Sequence, residues 1–227
     1  MNKINKHQII GLGPNSKLVR DYKNSLTCLS QEQWEASIGL MLGDASIQTQ
    51  NKGKSFRLKF EWGNKNKPYL DHVYNLFNEW VLSNPHKKSR VSPNGNIIIN
   101  WGFQTISHEA FNSLADLFIK YNKKSISNSL IQNNLTNRGL AFWIMDDGGK
   151  LDYNKNSINK SIVLNTQSFT EEEVINMSKE LSEKFNLGVE IRNNKGKKVI
   201  IINSASYPIV RELINPFIIP EMMYKLP

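Results

Sequence analysis

The chain alternates between two hydrophobic rhythms. Around residue 58, Phe56, Leu58, Phe60 and Trp62 interleave with Arg57, Lys59 and Glu61. Period two of this kind predicts a half-buried strand with a polar, mainly basic outer face. Elsewhere apolar residues recur at helical spacing. WEASIGLMLGDA predicts a helix ending near Asp44, and Ser30 with Gln33 offers a capping box at its start. Lys67 to Leu82 predicts an amphipathic helix. A basic loop, SNPHKKSRVSPNG, precedes the strand NIIINW, and a third helix runs from near Ser107 through AFNSLADLFIKYN. The order then recurs. Thr136 caps a short helix, RGLAFWIMDD; a polar loop, GGKLDYNKNSINK, leads to the strand SIVLNTQ. Thr170 and Glu173 open the helix EEEVINMSKELSEKFN as a second capping box. KKVIIINS is a further strand, and YPIVRELIN is a helix with Pro208 in its first turn.

Two similar successions in 227 residues predict two related halves. The expected division is an irregular arm over residues 1–29, a first unit over 30–122, a polar linker over 123–135 and a second unit over 136–227. The period, near 100 residues, is too long for a solenoid.

Composition narrows the function classes. Net charge is +9, spread along the chain, with pI near 9.5. Such a balance favours a polyanion, and nucleic acid ahead of a membrane surface, because no long basic amphipathic helix stands out. No apolar run reaches the roughly 18 residues of a bilayer span. The N-terminus lacks the apolar core of a signal peptide. The single cysteine, Cys28, excludes a disulfide within the chain. Asn, Ile and Lys are frequent, and Arg supplies few of the 29 basic residues. These preferences fit an A/T-rich genome such as that of an organelle.

Two short apolar helices end alike. SIGLMLGDA closes on Asp44 before a small residue; LAFWIMDDG closes on Asp147 before Gly148, with Asp146 opposite Gly43 in the alignment. Gly39 and Gly43 lie on one helix face and let a second helix approach closely. If the two helices pair, their C-terminal acids converge. At about 4 Å and an effective dielectric of 20, two carboxylates repel by about 4 kcal/mol, and the negative helix ends add to this. A hard cation between them relieves the repulsion, and carboxylates with carbonyl oxygens are its preferred ligands. The alternative from spacing alone is a pair of solvent-exposed helix-end acids. DDGGKLDYNKN does not fit the calcium-loop spacing. His7, His72, His86 and His108 are too scattered for a zinc site, and the chain has no phosphate-binding glycine loop.

The segments GPNSK, IGLMLGDASI, FEWGNKNK, WVLSNPHKK, LFIKYNKK, DDGGKLDYNKNSINKSIVLNTQSFT and IPEMMYKLP resemble LAGLIDADG homing endonucleases, specifically the two-motif monomeric type encoded by group I introns of yeast mitochondria. They extend from residue 13 to the C-terminus. The resemblance implies an α+β fold of two pseudo-symmetric αββαββα units, antiparallel DNA-binding sheets and a central pair of signature helices. It implies Mg²⁺-dependent hydrolysis of double-stranded DNA at a long asymmetric site, with Mn²⁺ as a substitute, in intron homing. It further implies a mitochondrial location, no membrane and no obligate protein partner. Asp44 and Asp147 match the metal-binding acids, with the carbonyls of Gly43 and Asp146 as further ligands. Lys124 (with Lys123 as fallback) and Lys225 match basic residues beside the scissile phosphates. Arg57, Lys59, His86, Lys87, Lys88, Arg90, Lys150, Asp152, Asn154 and Lys155 are expected to contact DNA. An RNA maturase assisting its own intron is the alternative, and a non-catalytic DNA-binding relic a third reading. Phe142 and Asp146, standing where the first helix has glycines, imply that the helix pair is not strictly symmetric.

Overall fold

The computed structural model describes residues 4–13, 16–151 and 160–227. In chain order its helices and strands are α1 (Lys17–Ser25), α2 (Gln31–Leu42), β1 (Ser46–Thr49), β2 (Phe56–Gly63), α3 (Lys67–Leu76), β3 (His86–Val91), β4 (Ile97–Gln104), α4 (Asn112–Phe118), β5 (Ile119–Lys120) and β6 (Lys123–Lys124). There follow α5 (Leu130–Asn134), α6 (Asn137–Asp147), β7 (Gly148–Lys150), β8 (Ile162–Leu164), α7 (Glu171–Phe185), β9 (Val189–Asn194), β10 (Lys197–Ile202) and α8 (Tyr207–Ile214). The mixture of helices with antiparallel sheets is the expected α+β class.

The chain forms two compact units, residues 1–33 with 45–115, and residues 34–44 with 116–227. Most of α2 thus belongs with the second unit, where α6 also lies.

In the first unit a sheet of order β1-β2-β4-β3 is antiparallel throughout. The period-two pattern of β2 works as expected: Leu58, Phe60 and Trp62 are buried. Phe60 packs against Phe103, rings tilted, with centroids 4.8 Å apart, and Trp62 meets Tyr69 of α3 at 5.0 Å. Four stretches as far as residue 124 depart from expectation. Residues 1–29 include a true helix, α1, whose Val19 and Tyr22 bury against Ile9. The helix expected over 67–82 stops at Leu76, and a tight turn over 78–80 delivers Trp80 to Gln33, its indole donating to the Gln33 side chain at 3.1 Å. The expected basic loop contains β3, whose residues are all exposed yet paired with β4; hydrogen bonding of its backbone, not burial, makes it a strand, and its charges suit a sheet edge. The helix expected to run to Asn122 ends at Phe118. The chain then reverses through a β5–β6 hairpin with Tyr121 and Asn122 at φ 50 and 61, left-handed values that asparagine tolerates well.

In the second unit the sheet order is β7-β8-β10-β9. Ile162, Leu164, Ile200 and Ile202 share one face and are fully buried. The helix α7 supplies Val174, Met177 and Leu181 to the core. Its capping box forms as expected: Glu173 N–H donates to Thr170 Oγ1 at 3.2 Å and Thr170 N–H to Glu173 Oε2 at 2.8 Å. The stretch 123–135, expected to be a plain linker, carries β6 and α5, with Leu130 and Ile131 buried. The loop expected after α6 begins as strand β7 directly at Gly148.

Candidate active site

The site is built on α2 and α6. Ser30 and Gln33 cap α2 reciprocally, at 3.2 and 3.0 Å, as the sequence predicts. Thr136 Oγ1 caps α6 by accepting from Gly139 N–H at 3.2 Å. Every residue of α6 from Gly139 to Asp146 is buried. A helix apolar on all sides belongs at the centre of a fold, which explains why LAFWIM shows no polar stripe.

The two helices touch backbone to backbone. A Cβ added at Gly39 would lie 2.0 Å from the carbonyl oxygen of Gly139 and 2.9 Å from Phe142 Cβ. One added at Gly43 would lie 2.5 Å from both Cβ and Oδ2 of Asp146. The bulky residues that break the sequence symmetry, Phe142 and Asp146, therefore sit opposite the two glycines of α2. Gly139, facing Gly39, completes the contact. Beyond it, Arg138 Nε lies 3.3 Å from the Glu35 carboxylate.

This crossing gathers Asp44, Asp146 and Asp147. The Asp44 N–H donates to Asp146 Oδ2 at 3.0 Å. Burial foremost, and then the neighbouring charge of Asp44, pushes the Asp146 carboxyl well above the usual carboxylate range. The same causes push Asp147 up to about 7, opposed by Lys225 and Lys124. Two lysines meet the acids from other elements. Lys124, presented by the β5–β6 hairpin, donates to the carbonyl of Gly43 at 2.9 Å; burial lowers its ammonium pKa, opposed by Asp147, Asp146 and Asp44. Lys225, from the turn at 220–225, donates to the carbonyl of Asp146. Each lysine thus binds the residue just before one of the matched acids.

The donor set fits a hard divalent cation. Two carboxylates and two carbonyls are all oxygen ligands, and a cation would offset both the burial and the repulsion from Asp44 that raise Asp147. Among the described residues, no three His, Cys, Asp or Glu side chains form a metal cluster. A cation at this point would rely on carbonyl and water oxygens beside the two acids.

The remaining candidates fall on different surfaces. The register places Ser46, Gln48, Arg57, Lys59, Glu61, Asn100, His86, Lys88 and Arg90 on one face of the first sheet. Lys88 Nζ lies 2.5 Å from Glu61 Oε2, and Asn100 Nδ2 donates to Glu61 Oε1 at 3.1 Å; these two contacts hold the Glu61 carboxylate below its usual range. Among the described residues the buried Nε of Arg57 finds no hydrogen-bond partner. Lys87 pairs with Trp101 and projects from the opposite face. In the second sheet Lys150 shares the face of Ile162, while Val163, Val199 and Ile201 on the other face cluster with Leu151. Asp152, Asn154 and Lys155 lie outside the described residues.

Two contributors were not anticipated from the sequence. Gly139 has only its own smallness as a signal. Asn165 donates to the carbonyl of Asp147 from both its backbone N–H, at 3.0 Å, and its side chain, at 2.8 Å; in sequence it is one asparagine among many.

Comparison with known proteins places this arrangement in context. Residues 34–210 match the LAGLIDADG DNA endonuclease family. The chain is 48% identical to a probable intron-encoded endonuclease 1 of Wickerhamomyces canadensis, over 98% of this chain and 96% of that protein. It is 32% identical to the cytochrome b mRNA maturase bI2 of Debaryomyces hansenii, covering 87% of this chain and 74% of the maturase. The solved structure of the homing endonuclease I-WcaI bound to its DNA recognition sequence superposes with a TM-score of 0.94, at 47% identity, over 99% of this chain and 98% of that one. The chain belongs to the LAGLIDADG DNA endonuclease family.

Proposed function

We propose that the protein is a site-specific homing endonuclease that hydrolyses both strands of a long, asymmetric DNA target and so promotes mobility of the intron encoding it. LAGLIDADG endonucleases use divalent metals; the all-oxygen donor set here favours Mg²⁺, with Mn²⁺ as a substitute. The observation that carries this reading is the convergence of Asp44 and Asp147, each preceded by a carbonyl that accepts from a lysine.

In this mechanism Asp44 and Asp147 would hold divalent metal, each acid mainly serving one of the two scissile strands, assisted by the carbonyls of Gly43 and Asp146. When bound, the metal supplies an activated water and neutralises charge developing on the phosphate. Lys124 and Lys225 stand beside the two scissile phosphates, where an ammonium orders water and stabilises the equatorial oxygens. Arg57, Lys59, His86, Lys88 and Arg90 present donors from one sheet face to base edges and phosphates of the major groove. The two sheets carry different side chains, so the target they read is asymmetric. Relatives from yeasts and the A/T-biased composition support a mitochondrial gene.

The test is cleavage of an A/T-rich organellar DNA library that includes intronless insertion sites, with and without Mg²⁺. Metal-dependent double-strand cuts at one defined site are expected; no cleavage of any member refutes the proposal. A second reading, RNA maturase, has one observation in its favour: the identity to the cytochrome b mRNA maturase. Splicing of the host intron in vitro, with and without the protein, separates the two activities.

A further inference from the structure

The two matched acids are held in different ways. By Asp44 the chain has left α2, which ends at Leu42; the Asp44 N–H reaches across to Asp146 Oδ2 at 3.0 Å. Asp147 is instead the last residue of α6, and its carbonyl is gripped twice by Asn165, just past the end of β8. The Asn165 side-chain oxygen accepts in turn from Gln167 Nε2 at 3.4 Å. The first contact ends on a carboxylate oxygen of Asp146, the second pair on the backbone carbonyl of Asp147. The first has no mirror image. Gly43, the residue opposite Asp146, has no side chain to reach back to α6, and any Cβ there would collide with Asp146.

We propose that Asp146 and Asn165 are separate positioning residues, the first for Asp44 and the second for Asp147, so that the rates at the two scissile phosphates are set independently. This rests on the nuclease reading above. The Asp146 side chain acts through Asp44, and Asn165 acts through Asp147. Displacing a reacting group by about 1 Å costs on the order of 100-fold in rate, so loosening one acid should disturb mainly the strand it serves.

The test is single-turnover cleavage of the target duplex with a different label on each strand, using Asp146→Ala, Asp146→Asn and Asn165→Ala. Asp146→Ala is expected to slow one strand at least about tenfold relative to the other, with nicked DNA accumulating. Asn165→Ala removes the side-chain bond to the Asp147 carbonyl while the backbone N–H bond stays, and should slow the opposite strand by a smaller factor. Asp146→Asn keeps an acceptor for the Asp44 amide and should retain the wild-type ratio of strand rates. A general loss of stability would not split the strands in opposite senses. Equal slowing of both strands, the same strand slowed by both alanine variants, or an Asn variant as skewed as the Ala variant would each overturn the proposal. Should Asp146→Ala fail to fold, the opposite-strand bias of Asn165→Ala decides the matter alone: a skew supports the proposal and equal slowing refutes it.

Amide hydrogen exchange separates this idea from the nuclease reading, because it needs no DNA. Exchange at Asp44 should accelerate in Asp146→Ala and stay slow in Asp146→Asn and Asn165→Ala. Unchanged exchange in a folded Asp146→Ala protein would overturn the brace even if cleavage is confirmed. Wild-type protein that cuts no DNA would overturn the nuclease reading while this exchange pattern still stands.

Discussion

Replacing Gly39 with alanine tests the helix crossing on which the site depends. A Cβ at this position would sit 2.0 Å from the Gly139 carbonyl oxygen, with Phe142 Cβ at 2.9 Å. That is about 1.5 Å inside the roughly 3.5 Å optimum for non-bonded heavy atoms. Neither neighbour is the free end of a flexible side chain, so relief requires α2 and α6 to separate. Separation would loosen the burial of Ala36, Leu40, Phe142 and Trp143 around the crossing. Overpacking in a dense core costs about 1–3 kcal/mol and sometimes more, and a clash against backbone belongs at or above the upper end. The intrinsic helix gain of Gly→Ala offsets about 1 kcal/mol at most. Gly139→Ala is the control. Its Cβ would meet the Glu35 carbonyl and Leu135 Cδ1, both at 3.0 Å, and the leucine methyl can yield. There the helix gain and the milder clash nearly cancel, leaving a net change of about 1 kcal/mol or less. For a chain of this size about 1 kcal/mol moves Tm by roughly 2–4 °C. Thermal unfolding should therefore show Gly39→Ala lower by at least about 4–8 °C, and Gly139→Ala by no more than about 2–4 °C. Equal shifts for the two variants, or an unaffected Gly39→Ala, would refute the close crossing.

Three further outcomes follow from the site and the core. Lys124→Ala and Lys225→Ala should each slow cleavage by roughly tenfold to a thousandfold, while target binding measured by gel shift changes little; wild-type rates in both would remove the lysines from the mechanism. Lys88→Ala should weaken DNA binding and reduce the slope of log K against log salt by about 1, whereas Lys87→Ala, on the other face, should leave that slope unchanged. Thr170→Ala should destabilise by about 1 kcal/mol in urea unfolding. Glu173→Ala should cost more than Thr170→Ala, because Glu173 Oε1 also accepts from Ile126 N–H at 2.7 Å.

The elements whose side chains bury in simple rhythm were legible in the sequence. Phe56 to Trp62 gave a strand by alternation, and Ser30, Thr136 and Thr170 marked three helix starts through their own hydrogen bonds. The pairing of the signature helices was legible because glycine at Gly39 and Gly43 has few reasons to recur on one face other than close approach. Less was legible where long-range partners decide. The β3 strand is wholly exposed, so no hydrophobic period announces it; its order comes from pairing with β4. The hairpin that carries Lys124 turns at Tyr121 and Asn122, a dipeptide with a weak turn signal, after a pattern that reads as continuous helix. Asn165 matters because β8 ends beside the last residue of α6, which is a tertiary fact. Lys87 and Lys88 look alike in sequence, and only the register with Trp101 and Asn100 sends them to opposite faces.

The most direct measurement is cleavage and binding of the insertion-site duplex by the wild-type protein and by Asp44→Asn and Asp147→Asn in Mg²⁺. The convergent acids predict that wild type cuts both strands, that neither variant makes a double-strand break, and that both still bind the target with near wild-type affinity. Full double-strand cleavage by either variant would contradict the assignment of the two acids as the heart of the site.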